Sequence, residues 1–128
     1  MEIEVNEYVR NEDGYIWQIK KTKDLDNIFI DEDGKVKEIA GETVFGDDVI
    51  VEITKHSRDI IDLVEVGDYV NGYKVISVDY YVIDNKTECI ELDLNNNYQY
   101  NFISARQIKT IITKEQMASI EYKVEEDK

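Results

Sequence analysis

At 128 residues the chain can form one compact domain or two very small fused barrels, and its 42% apolar content supports a core and argues against wholesale disorder. The net charge of −14 repels phosphate backbones, which argues against direct binding of DNA or RNA. Such a surface suits a basic groove on another macromolecule, or serves only to keep the protein in solution.

The opening Met1-Glu2-Ile3-Glu4-Val5-Asn6-Glu7 has neither the basic nor the apolar part of a signal peptide. No stretch reaches the roughly 18 apolar residues of a membrane-spanning helix, so no membrane partner is expected. Cys89 is the only cysteine, which excludes an internal disulfide and the usual cysteine zinc site and fits a reducing compartment. A cytoplasmic location is therefore expected.

β-Branched and aromatic residues come in short runs between Gly, Asn and Asp clusters, with nine tyrosines and no proline. This predicts strands at 7–10, 15–20, 28–31, 35–40, 48–54, 68–70, 73–83, 87–94, 98–104 and 108–112. Asn11-Glu12-Asp13-Gly14 and Asp31-Glu32-Asp33-Gly34 each set acidic turn formers before a glycine, the chemistry of a type I turn closed by a bulge. Asn71-Gly72 reads as a two-residue type I′ hairpin, and Asn95-Asn96-Asn97 as a break between strands. Ile90, Leu92 and Leu94 alternate with Glu91 and Asp93, and Tyr98, Tyr100 and Phe102 with Gln99 and Asn101, giving one wet and one buried face. Thr113-Lys114-Glu115-Gln116 is a capping box, which predicts a short helix over 114–121 before a frayed tail at 125–128.

The fold class is therefore all-β and mainly antiparallel with one short C-terminal helix. It is arranged as two small SH3-like barrels in tandem or as one compact β-barrel or sandwich. A weak internal repeat favours the tandem, with an acidic subdomain at 1–65 and a second at 66–128. Tyr8-Val9 with Gly14-Tyr15 recurs as Tyr69-Val70 with Gly72-Tyr73, and Ser57 before Ile60-Ile61 recurs as Ser104 before Ile108. Chance likeness among Tyr- and Val-rich strands is the competing explanation.

No pattern of catalytic or metal-binding type stands up. His56, Ser57, Asp59 and Asp62 invite a hydrolase reading, but no glycine-framed nucleophile turn accompanies them, and a serine capping a turn explains Ser57 as well. An EF-hand register through Asp31, Asp33 and Gly34 would start at Phe29 and end at Ala40, which cannot bind calcium. Among 29 acids, neighbours such as Asp47-Asp48 or Glu88, Glu91 and Asp93 arise by chance. The six glycines are isolated, so no phosphate-cradling loop is present. Trp17, Tyr15 and Tyr73 suit either a binding patch or a core, and strand parity with Ile19 favours the core for Trp17. No catalytic residue, metal or cofactor is expected, and the chain reads as a non-enzymatic binding protein.

The blocks Tyr8-Val9-Arg10 with Gly14-Tyr15-Ile16, Lys55 to Val75 (within it Ile60-Ile61-Asp62-Leu63-Val64-Glu65-Val66-Gly67-Asp68-Tyr69-Val70-Asn71-Gly72), and Ile108 to Gln116 carry a resemblance. The chain resembles small uncharacterised proteins of phages and prophages of Firmicutes, over about a third of its length. The resemblance implies a bacterial host cytoplasm and no defined reaction; by analogy, small acidic phage proteins without an enzyme motif act as inhibitors of host defence, anti-CRISPR proteins among them.

Charge points to where such an inhibitor would make contact. Between Asp24 and Glu52 stand ten acids against Lys35 and Lys37. The expected contact residues are Asp24, Asp26, Asp31, Glu32, Asp33, Glu42, Asp47 and Asp48, whose carboxylates would stand in for phosphates in the basic nucleic-acid groove of a host protein such as a CRISPR effector. The alternative is a structural or regulatory phage interaction module that binds through a strand edge or aromatic groove and is acidic only for solubility.

Overall fold

A computed structural model describes residues 3–80, 87–93 and 101–121. The fold is all-β and antiparallel, with one short helix at the C-terminal end of the described residues. The first sheet holds β1 (Tyr8–Asn11), β2 (Ile16–Gln18), β3 (Ile28–Ile30), β4 (Val36–Glu42) and β5 (Asp48–Ser57), in the order β2-β1-β5-β4-β3. The second holds β6 (Tyr69–Val70), β7 (Tyr73–Tyr80), β8 (Thr87–Asp93), β9 (Phe102–Ser104) and β10 (Ile111–Ile112), in the order β10-β6-β7-β8-β9. Helix α1 spans Lys114–Ile120. Among the described residues neither sheet pairs its two edge strands, so neither closes into a hydrogen-bonded barrel. No helix among them is long and apolar enough to cross a membrane.

One turn design recurs three times in the first sheet. In Asn11–Gly14, Asp31–Gly34 and Thr43–Gly46 the glycine amide donates to the carbonyl three residues back, and each glycine takes a φ between +80° and +85°. The first side chain of each loop accepts two amides: Asn11 Oδ1 from Asp13 and Tyr15, Asp31 Oδ1 from Asp33 and Lys35, Thr43 Oγ1 from Phe45 and Asp47. The sequence predicts the first two; the third was legible in the same pattern, with threonine replacing an acid or amide. Asn71 and Gly72 both have positive φ, 53° and 86°, as a type I′ hairpin requires. The Asn71 side chain then clamps the return of the chain, donating to Gln107 O and accepting from the Lys109 and Thr110 amides.

Two apolar cores result. One is built on Val9, Ile19 and Ile53, with Trp17, Leu25, Ile28 and Val36 packed around it. The other gathers Ile61, Val64, Val70, Val75, Ile90 and Leu92. Each such side chain contributes about 1.5–3 kcal/mol on leaving water. Ile61 and Val64 come from the 1–65 half of the chain yet pack in the core of the other half. They are delivered by a 3₁₀ turn, Ile60–Leu63, that the strand pattern does not predict. Two more such turns, Thr22–Asn27 and Ala105–Gln107, also replace expected loops. The expected breaks at Asn95–Asn97, the alternation through Tyr98 and Tyr100, and the tail at 125–128 lie outside the described residues.

A buried polar cluster joins the halves. Arg10 lies on the face of β1 opposite Val9; its Nη1 donates to Leu63 O in its own half and to Asp68 Oδ2 in the other, and its Nη2 donates to Asp68 Oδ1 and Glu115, both in the other half. Asp68 also accepts the Glu65 and Lys114 amides, and Glu65 pairs with Lys55 and Lys114. Thr113 caps α1 by accepting the Gln116 amide and donates its hydroxyl to Gly14 O.

Candidate acidic cleft and hairpin

The eight acids singled out by charge do not form one face. Strand β4 has seven residues, which sets its ends roughly 20 Å apart. Asp31, Glu32 and Asp33 form the turn at its start, and Glu42, Asp47 and Asp48 flank the hairpin at its far end. Asp24 and Asp26 ride on the 3₁₀ turn that leads into β3, whose Ile28 pairs with Glu38 in mid-β4.

Two of the eight are engaged in holding their own loops. Asp24 Oδ2 accepts the amides of Lys20 and Lys21, and these bonds hold its carboxyl below the ordinary range. The Lys35 amide, then the Asp33 amide and the Lys37 charge, do the same for Asp31. The other six are exposed, and their side chains make no hydrogen bond or ion pair with described residues. Both lysines of the acidic stretch are answered from within, Lys35 by Glu52 and Lys37 by Asp31.

At the tip of the β4–β5 hairpin, between Glu42 and Asp47, Val44 is 95% exposed and Phe45 is 88% exposed. Isolated apolar residues at a surface are ordinary, but two adjacent ones on a protruding turn framed by acids have no packing role in the protein itself.

A cleft of about 560 Å³ opens on the face of the first sheet that also carries its core. Paired residues in adjacent strands share a face, so Val9 with Trp17, Asn11 with Ile53, and Val51 with Glu38 fall in one layer. Trp17 packs on the core, as parity predicts, and also lines the cleft beside the largely exposed Tyr15. Tyr73 is on β7 in the other sheet and does not join them. The cleft also takes in Asp13, Asp24 and Glu38, and no lysine or arginine is among its lining residues.

Glu38 is the unexpected member. It occupies a row otherwise held by Ile28 and Val51 and is only 6% exposed. Its Oε1 accepts from Asn11 Nδ2 at 2.8 Å, and Oε2 has no partner among described residues. In the sequence it is one acid in a crowded stretch; only its cross-strand neighbours reveal it as a carboxylate at a core position.

His56 and Ser57 are not brought together. As neighbours on β5 they point to opposite faces. His56 Nδ1 lies 2.7 Å from Glu7 Oε1, and the Ser57 hydroxyl donates to Asp62 while accepting the Asp59 amide. Among the described residues no group of three His, Cys, Asp or Glu is placed to hold a metal ion.

Comparison of the chain with protein-family models, with curated proteins and with solved structures returns no match. The resemblance to phage proteins therefore rests on its motif residues alone.

Proposed function

We propose that this chain is a binding protein that docks its acidic first sheet on a basic surface of another protein, the nucleic-acid-binding groove of a host defence nucleoprotein in the setting the phage resemblance implies. One observation carries the reading. Asp26, Glu32, Asp33, Glu42, Asp47 and Asp48 stand exposed and unpaired among the described residues, while both lysines of the same stretch are answered internally. An uncompensated field of this kind steers a basic partner over about a Debye length, roughly 8 Å at physiological salt. The separation of the acids along β4 favours discrete contacts with arginines and lysines over a continuous copy of a phosphate backbone. In this reading Val44 and Phe45 act as the apolar anchor that such interfaces place at their centre.

The test compares the wild-type chain with a variant carrying Glu32→Gln, Asp33→Asn, Glu42→Gln, Asp47→Asn and Asp48→Asn in capture of proteins from bacterial lysate. Wild-type capture of a nucleic-acid-binding protein weakens at high salt and under competition from nucleic acid, and the neutralised variant loses it. Retention of the same partner by the variant, at either salt, would favour the second reading. That reading is a contact through the Val44–Phe45 tip or a strand edge, with acidity serving solubility, and the exposure of the tip is what supports it.

A further inference from the structure

We propose that the cleft on the first sheet is a receptor for one guanidinium group, the side chain of an arginine that a partner protein presents. The proposal rests on the acidic-docking reading above and deepens it, because it names the group that the surface takes in and the place that takes it.

The buried Glu38 carboxylate is the starting point. The residue is only 6% exposed, and its two oxygens differ: Oε1 is hydrogen-bonded, while Oε2 is not among the buried unpartnered atoms and stays accessible at the cleft. Asn11 supplies the donor to Oε1, and its own position is fixed by the Asp13 and Tyr15 amides that its Oδ1 accepts. The cross-strand neighbours Ile28 and Val51 have no side-chain donor to offer the second oxygen. The site is thus built on one side and open on the other, with Oε2 available to a donor that enters the cleft. That donor should be positive, since Asp13 and Asp24 stand at the same cleft and no lysine or arginine is among its lining residues.

Aromatic faces narrow the class. Trp17 and Tyr15 line the cleft with the three carboxylates, and a planar cation can stack on an indole or phenol ring while its edge N–H groups reach carboxylate oxygens. Guanidinium does both, presents a rigid fork and is weakly hydrated, whereas an ammonium is a strongly hydrated point charge. A bare metal ion has no matching ligand group among the described residues. The cleft, of about 560 Å³, is in the size range that receives organic groups, larger than one side chain and able to admit the backbone that bears it. Arginine in a basic groove is also the residue that the exposed acids of the same sheet and its turns would draw in.

Trp17 is the only tryptophan, so intrinsic fluorescence reports on this cleft. The probe is the capped tripeptide Gly-Arg-Gly, compared with its citrulline and lysine counterparts. The arginine peptide should change Trp17 emission saturably, with a Kd of about 1 mM for a single side-chain contact. Citrulline, which keeps the shape and loses the charge, should bind about tenfold more weakly or not at all, and lysine should fall between them. Glu38→Gln keeps the acceptor for Asn11 and should weaken the arginine peptide about tenfold. Should that variant not fold, Asp13→Asn in the exposed turn serves in its place and should weaken binding by a smaller factor. The proposal is overturned by no saturable change with the arginine peptide, by equal binding of the citrulline peptide, or by undiminished binding in whichever variant folds. This experiment uses no partner and leaves the hairpin acids intact, so its failure is distinct from failure of acidic docking, which the lysate capture reads.

Discussion

Arg10 and Asp68, 58 residues apart in sequence, meet in a two-pronged ion pair in which both side chains are fully buried, with Nη1 at 2.5 Å from Oδ2 and Nη2 at 2.9 Å from Oδ1. Burial works against the charge on Arg10, but hydrogen bonds to Asp68 and then Glu115 outweigh it and raise the guanidinium pKa further. Removing one partner leaves the other's charge only partly answered away from water, Arg10 by Glu115 and the Leu63 carbonyl, Asp68 by the Glu65 and Lys114 amides. Arg10→Ala and Asp68→Ala are each expected to destabilise the protein by about 3–5 kcal/mol. The double variant should lose clearly less than the sum, because the second removal abolishes the stranded charge. Urea denaturation of the four proteins measures this, and strict additivity would show that the pair does not couple the halves.

The contact between Gly14 and Thr113 gives a sharper test of the same junction. A Cβ on Gly14, at φ +85°, would fall 2.1 Å from Thr113 Oγ1, whereas one on Gly34, at φ +80°, meets nothing within 4 Å. Gly34→Ala should cost only the left-handed backbone term, about 1–2 kcal/mol. Gly14→Ala should cost that and roughly 1–3 kcal/mol more for overpacking. Equal losses in thermal denaturation would mean that the halves do not meet there.

Thr113→Ala removes a helix cap worth about 1 kcal/mol and, by stranding the Gly14 carbonyl, about 1–3 kcal/mol besides. Thr113→Ser keeps both bonds and should restore most of the loss. A loss confined to the cap value would place Gly14 O in contact with water.

Stability should fall on acidification through two carboxylates held below their usual range. Burial alone would raise Glu7, but its bonds to His56 and the Glu4 amide prevail; burial would likewise raise Glu65, but Lys114, Arg10 and Lys55 prevail. A carboxyl with a lowered folded pKa stabilises the fold above its unfolded value, near 4.5 for both, and that contribution disappears as pH falls through the folded value. Glu7→Gln and Glu65→Gln should therefore be less stable than wild type at pH 7 and should converge with it below about pH 4 in urea titrations. A pH-independent difference would assign these residues a packing role only.

Much of this fold is written in short-range signals. Ten strands, the Asn71-Gly72 hairpin, two acid-glycine turns and the Thr113–Gln116 capping box lie close to where residue types a few positions apart place them. Turn and cap chemistry acts over two to four residues, and strand parity over every second one, so a single sequence carries them. The paired likenesses in the sequence also fall on like elements: Gly14 and Gly72 each precede the second strand of a hairpin, and a 3₁₀ turn follows Ser57 and Ser104. The strand orders of the two sheets nevertheless differ, with β3 and β4 continuing from the last strand of the first sheet and β8 and β9 from the second strand of the other.

What the sequence alone determined was composition, charge and local geometry: an acidic all-β chain with a capped terminal helix. What only the tertiary structure decided was which charges meet. Arg10 is one residue of a motif until the fold sets it against Asp68, and Glu38 is one acid of ten until β3 and β5 bury it beside Trp17. The run of acids from Asp24 to Asp48, contiguous in the chain, is divided because β4 carries its two ends apart. The physical reason is common to all three: burial and Coulomb interactions depend on distance in space, and strand pairing, not sequence order, sets that distance.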